Sequence, residues 1–345
     1  MGRQNGNPLR SQPNGKWNAP MHGPEINEIL APIEQDMQRM DSQLKRSLSS
    51  IAPLVGEISH HIVGGGGKRL RPAVLLLAAR ACGYAGDEHL RLAAATEAVH
   101  TATLLHDDVV DRSRLRRGRP TANQVWGNEA SVLVGDFVYS RATQMIVESE
   151  RLDIVAVLST AANDIAEGEV VQLANRHNPN LSEQQYFDII RNKTARLFEA
   201  SAQVGALIAK APKARERALV RYGIHLGNAF QLIDDTLDFT GTVDAIGKNL
   251  GDDLADGKTT LPLIHAMRHA NPEQTDRIRE AIRKGSLERL PDILEAIEAT
   301  GAIDYTARLA IHESEQAIDA LEALDDSVFR RSLAELARFA VQRDR

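Results

Sequence analysis

The sequence has very few cysteines and aromatic side chains. Cys82 is the only cysteine among 345 residues, which excludes an internal disulfide and favours a reducing compartment. Phe, Trp and Tyr together make up 4% of the chain. Strands are enriched in aromatic and β-branched residues, whereas Ala and Leu, which are abundant here, are strong helix formers. The composition therefore predicts helices rather than sheets.

Long apolar runs and a strong positive charge are also lacking. No segment approaches the roughly 20 apolar residues that a membrane-spanning helix needs, and residues 1–24 lack the apolar core of a signal peptide. Their Asn, Gly and Pro content predicts a flexible polar tail. The formal charge of −6 argues against a nucleic-acid-binding protein. We therefore expect a soluble cytoplasmic protein.

From Glu25 onward the hydrophobic pattern has nearly continuous helical periodicity, interrupted by glycine and proline. Hydrophobic residues form 43% of the chain, enough for a substantial core. The sequence predicts an all-α fold in which residues 25–345 form a single-domain bundle of antiparallel helices around a central active-site cavity. Helices are predicted over 90–111, 128–150, 153–174, 182–208, 213–240 and 259–270. The residues after 270 are expected to form amphipathic packing helices.

Two copies of the motif Asp-Asp-x-x-Asp lie inside otherwise apolar helical segments. Their carboxylates belong to Asp107, Asp108, Asp111, Asp234, Asp235 and Asp238. On a helix the first and last aspartates of each copy lie one turn apart, so two facing helices would place oxygens on both sides of a cleft. Mg²⁺ prefers oxygen ligands and is commonly held by one or two carboxylates together with substrate phosphates. The pattern predicts a magnesium-dependent enzyme that acts on diphosphates.

A third copy of the motif covers residues 252–256, between Gly251 and Gly257. A single occurrence of such a short motif is a weak signal, so its context matters. A solvent-exposed turn explains this copy better than a direct role in metal binding.

Helix phasing adds two uncharged side chains to the acidic stripes. At about 100° per residue, His100, Asp107 and Asp111 lie on one helix face. An isolated His100 would be interpreted as a satisfied core histidine, but its phase with the aspartates favours a ligand-binding role. Gln231 has a comparable phase relation to the second motif and is expected to face the same cleft.

Basic residues near the motifs would balance the acidic cleft and bind diphosphate. They are Lys68, Arg71, Arg116, Arg117, Lys193, Lys248 and Lys258. Arginine suits two-point contacts with phosphate, whereas lysine supplies a compact charge. The basic segment 112–120 could be a solvated loop, but it follows the first motif directly and would bring guanidinium groups next to metal-bound phosphates. The glycine run 64–67 is a weak anion-binding signal by itself.

These motifs, in their order and spacing, resemble those of the trans-isoprenyl diphosphate synthases. The resemblance is strongest to the long-chain type, which makes octaprenyl or nonaprenyl diphosphate for quinone side chains. It extends from about residue 25 to the C-terminus. The matching segments are GGGGKRLRP (64–72), HTATLLHDDVVDRSRLRRGRPTAN (100–123), GNEASVLVGDF (127–137), KTARLFEAS (193–201), GNAFQLIDDTLDF (227–239) and IGKNLGDDLADGKTTLPL (246–263).

The resemblance implies the isoprenoid synthase fold, a homodimer and a role for most of the residues above. Isopentenyl diphosphate would be held by Lys68, Arg71, His100 and Arg117. The allylic diphosphate would be surrounded by Arg116, Lys193, Thr194, Gln231, Lys248 and Lys258. The principal ligands of three Mg²⁺ ions would be Asp107, Asp111 and Asp234, supported by Asp108, Asp235 and Asp238.

The implied reaction is head-to-tail condensation of isopentenyl diphosphate onto an allylic diphosphate, farnesyl diphosphate being the expected starter. Arg116 would help to draw negative charge onto the leaving diphosphate. The Thr194 hydroxyl, the Gln231 amide oxygen and the Lys193 carbonyl would stabilise the allylic cation by their dipoles. The expected product is a long all-trans polyprenyl diphosphate, octaprenyl diphosphate in particular.

Product length is expected to depend on the residues one turn before the first motif. Ala102 and Thr103 are both small, whereas bulky aromatic residues close the pocket at these positions in short-chain members of the family. Ala102 and Thr103 therefore predict an open tunnel. Its floor would be formed by Met145 and Ile146 on a neighbouring helix, although both could equally be ordinary core residues.

Three other functions are compatible with parts of the pattern. A shorter-chain synthase of the geranylgeranyl type would use the same two motifs. A class I terpene cyclase also ionises prenyl diphosphates at an Asp-rich helix, but it needs no second diphosphate site, so Lys68, Arg71 and His100 count against it. A non-catalytic subunit of a heteromeric synthase could dispense with the six aspartates, all of which are present.

Overall fold

The described part of the protein is built almost entirely of helices. The structure is a computed structural model that describes residues 25–240 and 250–342. The predicted tail, 1–24, and Lys248 lie outside these ranges. The helices are α1 (Ile26–Leu30), α2 (Glu34–Ser47), α3 (Pro53–Gly64), α4 (Leu70–Ala81), α5 (Glu88–Val110), α6 (Ala122–Trp126), α7 (Asn128–Val147), α8 (Leu152–Ala174), α9 (Glu183–Ile190), α10 (Arg196–Ile208), α11 (Lys213–Thr240), α12 (Asp252–Ala255), α13 (Leu261–His269), α14 (Pro272–Lys284), α15 (Leu290–Ala299), α16 (Ala302–Ala320) and α17 (Val328–Gln342). The all-α prediction is confirmed.

The basic segment after the first motif contains the strands of the described region. Strand β1 (Leu115–Arg116) pairs antiparallel with β2 (Arg119–Pro120) in a short hairpin. Gly118 adopts a φ of +73° in its turn, a conformation that glycine accepts without steric cost. The hairpin gives the basic segment a fixed shape, so it is not simply a solvated loop.

The predicted helices are present with small shifts at their ends, except that the predicted helix 182–208 is interrupted. Helices α9 and α10 are joined by a π-helical turn, Arg191–Ala195. A π-turn adds one residue to the helical turn and leaves the axis nearly continuous, and such turns often occur at functional sites. The hydrophobic period alone does not reveal the extra residue.

The two motif helices, α5 and α11, both pack against α10 in the core. Helix α5 also packs along α7 and α4, and α11 packs along α16. Small residues permit the closest approaches: a Cβ on Gly205 would lie 2.6 Å from Ala78 Cβ, and one on Gly223 would lie 2.5 Å from Glu199 Cα. The C-terminal parts of α5 and α11 both line one cleft.

The C-terminal helices complete the packing around α11 and α4. Helix α17 packs on α16, α4 and α11, and the Tyr222 hydroxyl on α11 donates to the Leu333 carbonyl (2.8 Å). These helices therefore have the packing role that the sequence predicted. In the described ranges, no helix combines the length and apolar character that crossing a membrane requires.

Candidate active site

The two acidic motifs line one cleft, as the sequence predicted. The cleft has a volume of about 930 Å³, its open mouth included. Its charged lining residues are Asp107, Asp111, Arg116, Lys193, Asp234, Asp235, Asp253 and Lys258. A second opening of about 380 Å³ adjoins it, and Leu104 and Arg116 line both.

Asp107 lies among negative charges that the protein neutralises only partly. Burial raises the pKa of Asp107 to about 6, and Lys193 and Arg116 offset part of the effect while the carboxylates of Glu169 and Asp111 add to it. The Lys193 ammonium forms an ion pair with Glu169 on α8. A positive charge bound in the cleft would therefore favour the ionised form of Asp107.

Asp108 is an anchor for Arg116 and does not line the main cleft. Its side chain is buried, and Arg116 donates to Asp108 Oδ1 from both Nε (2.9 Å) and Nη2 (2.6 Å). Burial lowers the pKa of Arg116, but the hydrogen bond and the charge of Asp108 outweigh burial, so the pKa is raised overall and the guanidinium stays charged. Asp108 lies next to Asp107 on the helix, and its side chain points to the interior, where it pairs with Arg116. Its supporting role at the metal site stays a prediction.

Asp111 is the last residue of the first motif and caps α5. Arg176 donates to its Oδ1 atom, and the Lys258 ammonium lies 3.2 Å from Oδ2. Burial raises the pKa of Asp111, but Lys258, Lys193 and Arg176 outweigh burial and lower it. Asp111 is therefore ionised, in contrast to Asp107.

A hydrogen-bonded chain of side chains orders the second motif. The Thr194 hydroxyl donates to Gln231 Oε1 (2.9 Å), and Gln231 Nε2 donates to Asp235 Oδ1 (2.7 Å). The Tyr186 hydroxyl donates to Asp235 Oδ2 (2.6 Å). Burial raises the pKa of Asp235 to about 8, Asp253 adds to the effect, and the hydrogen bonds from Tyr186 and Gln231 oppose it. Asp235 thus fixes Gln231, while Asp234 lines the cleft beside it.

The structure corrects the prediction for Asp238. Helix phasing placed Asp238 in the cleft, but its carboxylate is buried and lies outside the cleft lining. The backbone N–H of Asp253 donates to Asp238 Oδ2 (3.3 Å), and that of Gly251 donates to the Asp238 carbonyl (2.9 Å). The chain returns over the end of α11 and covers Asp238, which the periodicity of one helix cannot reveal.

The third motif is also different from the expected exposed turn. Its side chains are partly buried, and Asp253 on α12 lines the cleft. The Lys258 ammonium lies 3.0 Å from Asp256 and 3.4 Å from Asp253. Burial lowers the pKa of Lys258, but the carboxylates of Asp253, Asp111 and Asp256 raise it well above its ordinary value. The third motif therefore holds a cation at the cleft, as the expected role of Lys258 requires.

Two glycines allow neighbouring helices to touch the π-turn that carries Lys193 and Thr194. A Cβ on Gly168 of α8 would lie 2.9 Å from the Lys193 backbone nitrogen, and one on Gly227 of α11 would lie 2.3 Å from Ala195 Cα. These approaches bring Lys193 to Glu169 and Thr194 to Gln231. The wide turn and the two glycines thus position both predicted site residues.

The residues expected to hold isopentenyl diphosphate form a second basic cluster. Arg71 Nη1 lies 3.2 Å from His100 Nε2, and its guanidinium lies 4.5 Å from the Phe198 ring centre. Burial lowers the pKa of Arg71 to about 10. Burial, Arg71 and Arg117 together hold the pKa of His100 well below its ordinary value, so Nε2 accepts from Arg71 and the other ring nitrogen carries the proton.

Lys68 and Arg117 complete this cluster around the glycine run. The Lys68 ammonium lies 5.0 Å from the Phe339 ring centre, and Arg117 donates to the Gly66 carbonyl. Gly67 has a φ of +139°, and a Cβ there would lie 2.5 Å from Arg117 Nη1. Gly67 therefore leaves the space in which the Arg117 guanidinium lies against the backbone.

Three of the residues expected to control product length, Ala102, Met145 and Ile146, lie in the apolar core, and Thr103 is partly buried. Ala102 on α5 is 1% exposed, and the Thr103 hydroxyl donates to the His100 carbonyl (2.8 Å). Met145 and Ile146 on α7 are buried in the same core cluster. Their role as a tunnel floor stays a prediction.

Comparison with known proteins identifies the family of this chain. The family model described as "Polyprenyl synthetase" matches residues 52–299. The chain belongs to the polyprenyl synthetase family.

The relatives of this polyprenyl synthetase include long-chain enzymes. It is 49% identical to octaprenyl diphosphate synthase of Escherichia coli over 93% of this chain and 99% of the relative. It is 47% identical to a geranyl-diphosphate-specific all-trans-nonaprenyl-diphosphate synthase of Rhodobacter capsulatus, over 92% and 97%. A polyprenyl synthase from Caulobacter crescentus, solved with calcium and isoprenyl diphosphate, superposes with a TM-score of 0.91 at 40% identity over 94% and 100%. The chain is a prenyltransferase of the long-chain type.

The donor set of this synthetase's cleft suits magnesium, on which the family generally depends. Its carboxylate oxygens are hard ligands, and burial together with the charges of Glu169 and Asp111 raises the pKa of Asp107, an effect that a bound cation would offset. Over residues 25–240 and 250–342, no three His, Cys, Asp or Glu side chains converge to hold an ion by themselves. Mg²⁺ usually completes such a site with waters and substrate phosphates.

Sequence reasoning missed several residues that line the cleft or form an ion pair with a residue that lines it. They are Glu169, Gln172, Asn175, Arg176, Tyr186, Thr259 and Thr260. Glu169 and Gln172 are one turn apart on α8, so helix phasing of acidic and amide residues could have identified them. Arg176 lies in a loop and carries no such signal.

Proposed function

We propose that this polyprenyl synthetase extends farnesyl diphosphate with isopentenyl diphosphate to octaprenyl diphosphate, for a quinone side chain. The observation that carries the proposal is the single cleft in which Asp107 and Asp111 face Asp234, with Arg116, Lys193 and Lys258 beside them. Such a site matches a substrate of high negative charge that arrives with divalent cations.

Each cycle would break the allylic C–O bond and release diphosphate. The double bond of isopentenyl diphosphate then attacks the allylic cation, a new C–C bond forms, and a proton is lost from the adjacent carbon to the departing diphosphate. Thr194, Gln231 and the Lys193 carbonyl would stabilise the cation by their dipoles. The Thr194–Gln231–Asp235 hydrogen bonds hold Gln231 in one orientation for this role.

We propose three Mg²⁺ ions per active site, held by Asp107, Asp111 and Asp234 with substrate oxygens. When bound, the ions would stabilise the negative charge on the leaving diphosphate. Arg116 and Lys258 are charged and lie at the cleft, so they would bind the remaining phosphate oxygens. Lys248 is proposed to contribute as well, from the segment outside the described residues.

Isopentenyl diphosphate would be bound by the second basic cluster. His100 is neutral, so its protonated ring nitrogen can donate to a phosphate without repelling the allylic cation. Arg71 is already hydrogen-bonded to His100. Lys68 directly follows the glycine run, and Arg117 donates to its Gly66 carbonyl. The two anionic substrates would then be held side by side, which lowers the barrier through proximity.

We also propose a homodimer formed through α7 and α8. These helices carry unusually exposed large apolar side chains, including Leu133 (68% exposed) and Val170 (65%). Exposed apolar side chains on neighbouring helices commonly mark an interface when they form one patch. A second copy of the chain is the proposed partner.

Incubating the purified protein with isopentenyl diphosphate, Mg²⁺ and either farnesyl or geranyl diphosphate would test the proposal. Chromatography of the products should give a linear C40 diphosphate. Hydrocarbon release would indicate a cyclase, products of four units a geranylgeranyl-type synthase, and no turnover a non-catalytic subunit. The variants D107N and D234N should each lose most activity, while their thermal unfolding stays cooperative.

A further inference from the structure

We infer that Arg176 is a positioning residue that aims the Asp111 carboxylate, so that Oδ2 is directed towards the cleft in which Mg²⁺ would bind. The inference rests on the proposed metal role of Asp111. Arg176 lies outside the sequence motifs, in the loop that joins α8 to α9.

The two oxygens of Asp111 have different surroundings. Arg176 Nη2 donates to Oδ1, and Arg176 is absent from the residues that line the cleft. Lys258, which does line the cleft, lies 3.2 Å from Oδ2. Arg176 therefore contacts the carboxylate from behind and leaves Oδ2 directed towards the site where substrate and metal would bind.

Asp111 needs such a partner because of its place in the chain. It is the C-cap of α5, and Arg112, which follows, has a left-handed φ of +52°. No further turn of α5 packs around the Asp111 side chain. The guanidinium of Arg176, with a side chain only 15% exposed, supplies the missing restraint.

The Arg176 loop is itself fixed by His177. The His177 backbone N–H donates to the Gly257 carbonyl (2.8 Å), and its Nδ1 donates to the Ile282 carbonyl (3.0 Å). A Cβ on Gly257 would lie 2.4 Å from the His177 ring, so the ring rests directly on this backbone. Gly257 precedes Lys258, and the loop therefore joins Arg176 and Lys258 into one unit around Asp111.

Metal ligands that are carboxylates are usually held by further hydrogen bonds, and losing such a partner typically costs about 10–100-fold in metal affinity or activity. Removing a nearby positive charge would by itself strengthen cation binding. A weaker affinity after the loss of Arg176 would therefore indicate a lost orientation of Asp111 and not the changed charge around the metal.

The test is calorimetric titration of Mg²⁺ into the full-length protein in the presence of inorganic pyrophosphate. For R176Q, the apparent Kd for Mg²⁺ should rise by about 10–100-fold. R176K keeps the charge but loses the planar fork, so its Kd should rise by less. The matched control is R215Q, because Arg215 forms an ion pair with Asp325 (2.8 Å) away from the cleft, and its Kd should equal that of the wild type.

The inference is overturned if both Arg176 variants bind Mg²⁺ as tightly as the wild type or more tightly, or if R215Q weakens binding equally. Thermal unfolding in EDTA verifies that each variant is folded. D111N separates the two hypotheses. If D111N leaves Mg²⁺ affinity unchanged, the proposed metal role of Asp111 is wrong; if only D111N weakens it, the metal role stands and the Arg176 inference alone fails.

Discussion

Single residues of the cleft differ mainly in how completely their charge is compensated. Asp111 contacts two cations and has a lowered pKa, whereas the pKa of Asp107 is raised to about 6 and that of Asp235 to about 8. Asp235 is satisfied by Tyr186 and Gln231. In the absence of bound cations, ionisation of Asp107 therefore opposes folding above a pH of about 6, and ionisation of the hydrogen-bonded Asp235 does so only at higher pH.

We predict that D107N stabilises the metal-free protein at high pH. The pKa of Asp107 is 3.8 in the unfolded chain and about 6 in the folded protein. Its protonated carboxyl group therefore stabilises the folded state fully below pH 3.8, and this stabilisation is lost as the pH rises through about 6. D107N removes the ionisable group, so at pH 8 its free energy of unfolding should exceed that of the wild type by at most about 3 kcal/mol.

Urea unfolding in EDTA at pH 4, 6 and 8 would measure this difference. The two proteins should be similarly stable near pH 4 and diverge above it. A difference that does not change with pH would contradict the assigned pKa of Asp107. Adding Mg²⁺ with pyrophosphate at pH 8 should reverse the order, because only the wild type offers the carboxylate.

At the level of elements, the site depends on helices that approach more closely than ordinary side chains allow. Gly168 on α8 and Gly227 on α11 both contact the π-turn, which is one residue wider than an α-helical turn. The turn sets where Lys193 and Thr194 point. A change in how these helices pack would therefore also move the Lys193 and Thr194 side chains.

We predict that G227A destabilises the protein and lowers activity together. Its Cβ would lie 2.3 Å from Ala195 Cα, so α11 or the π-turn must shift, at a cost of about 1–3 kcal/mol. The shift would separate Thr194 from Gln231. Thermal unfolding and the rate of product formation would measure both effects.

G56A is the matched control for this substitution. Gly56 is also in a helix, but no heavy atom lies within 4 Å of the position that a Cβ would take there, so alanine should be neutral or slightly stabilising. Equal stability of G227A and G56A would show that α11 can move away from the π-turn at no cost.

We predict that A102F shortens the product to two to four isoprene units. Ala102 lies on α5 about one turn before the first motif and is buried in the core, so a phenyl ring there would block the path along the helix. Product chromatography would measure the change. A102S keeps the side chain small and should leave the products unchanged, and an unaltered product ladder for A102F would refute this tunnel geometry.

For the whole molecule, the buried core and the exposed apolar surface lie on different parts of the same helices. Helix α7 buries Val138 and Met145, yet it exposes Leu133 and Tyr139. A helix that is apolar on two faces is expected to pack on two sides. The second face is the one that we assign to another copy of the chain.

We predict that L133D shifts the wild-type dimer towards monomer. A charge without a partner in a buried apolar interface costs several kcal/mol, whereas on a free surface it costs almost nothing. Sedimentation velocity over a range of concentrations would detect the shift. V328D is the control, because Val328 is also exposed (44%) but lies at the start of α17. A wild-type monomer, or an L133D protein that remains dimeric, would contradict the proposed interface.

The sequence by itself determined the helical fold class, the residues of both acidic motifs and the cations near them. The reason is that these properties are local. Residues three or four apart on a helix share a face, so Asp107 and Asp111, or Gln231 and Asp234, could be assigned to one cleft without coordinates. Composition likewise predicted helices because it reflects backbone preference summed over long segments.

Only the tertiary structure decided how these side chains are paired. Asp238 is covered, Asp253 enters the cleft, and Arg176 holds Asp111, because segments far apart in the sequence pack against one another. The π-turn also depends on its neighbours, since Gly227 leaves room for it on α11. The spacing of residues along a helix determines the helix face on which each one lies. Its contacts depend on packing with distant segments, which the hydrophobic periodicity of the sequence does not encode.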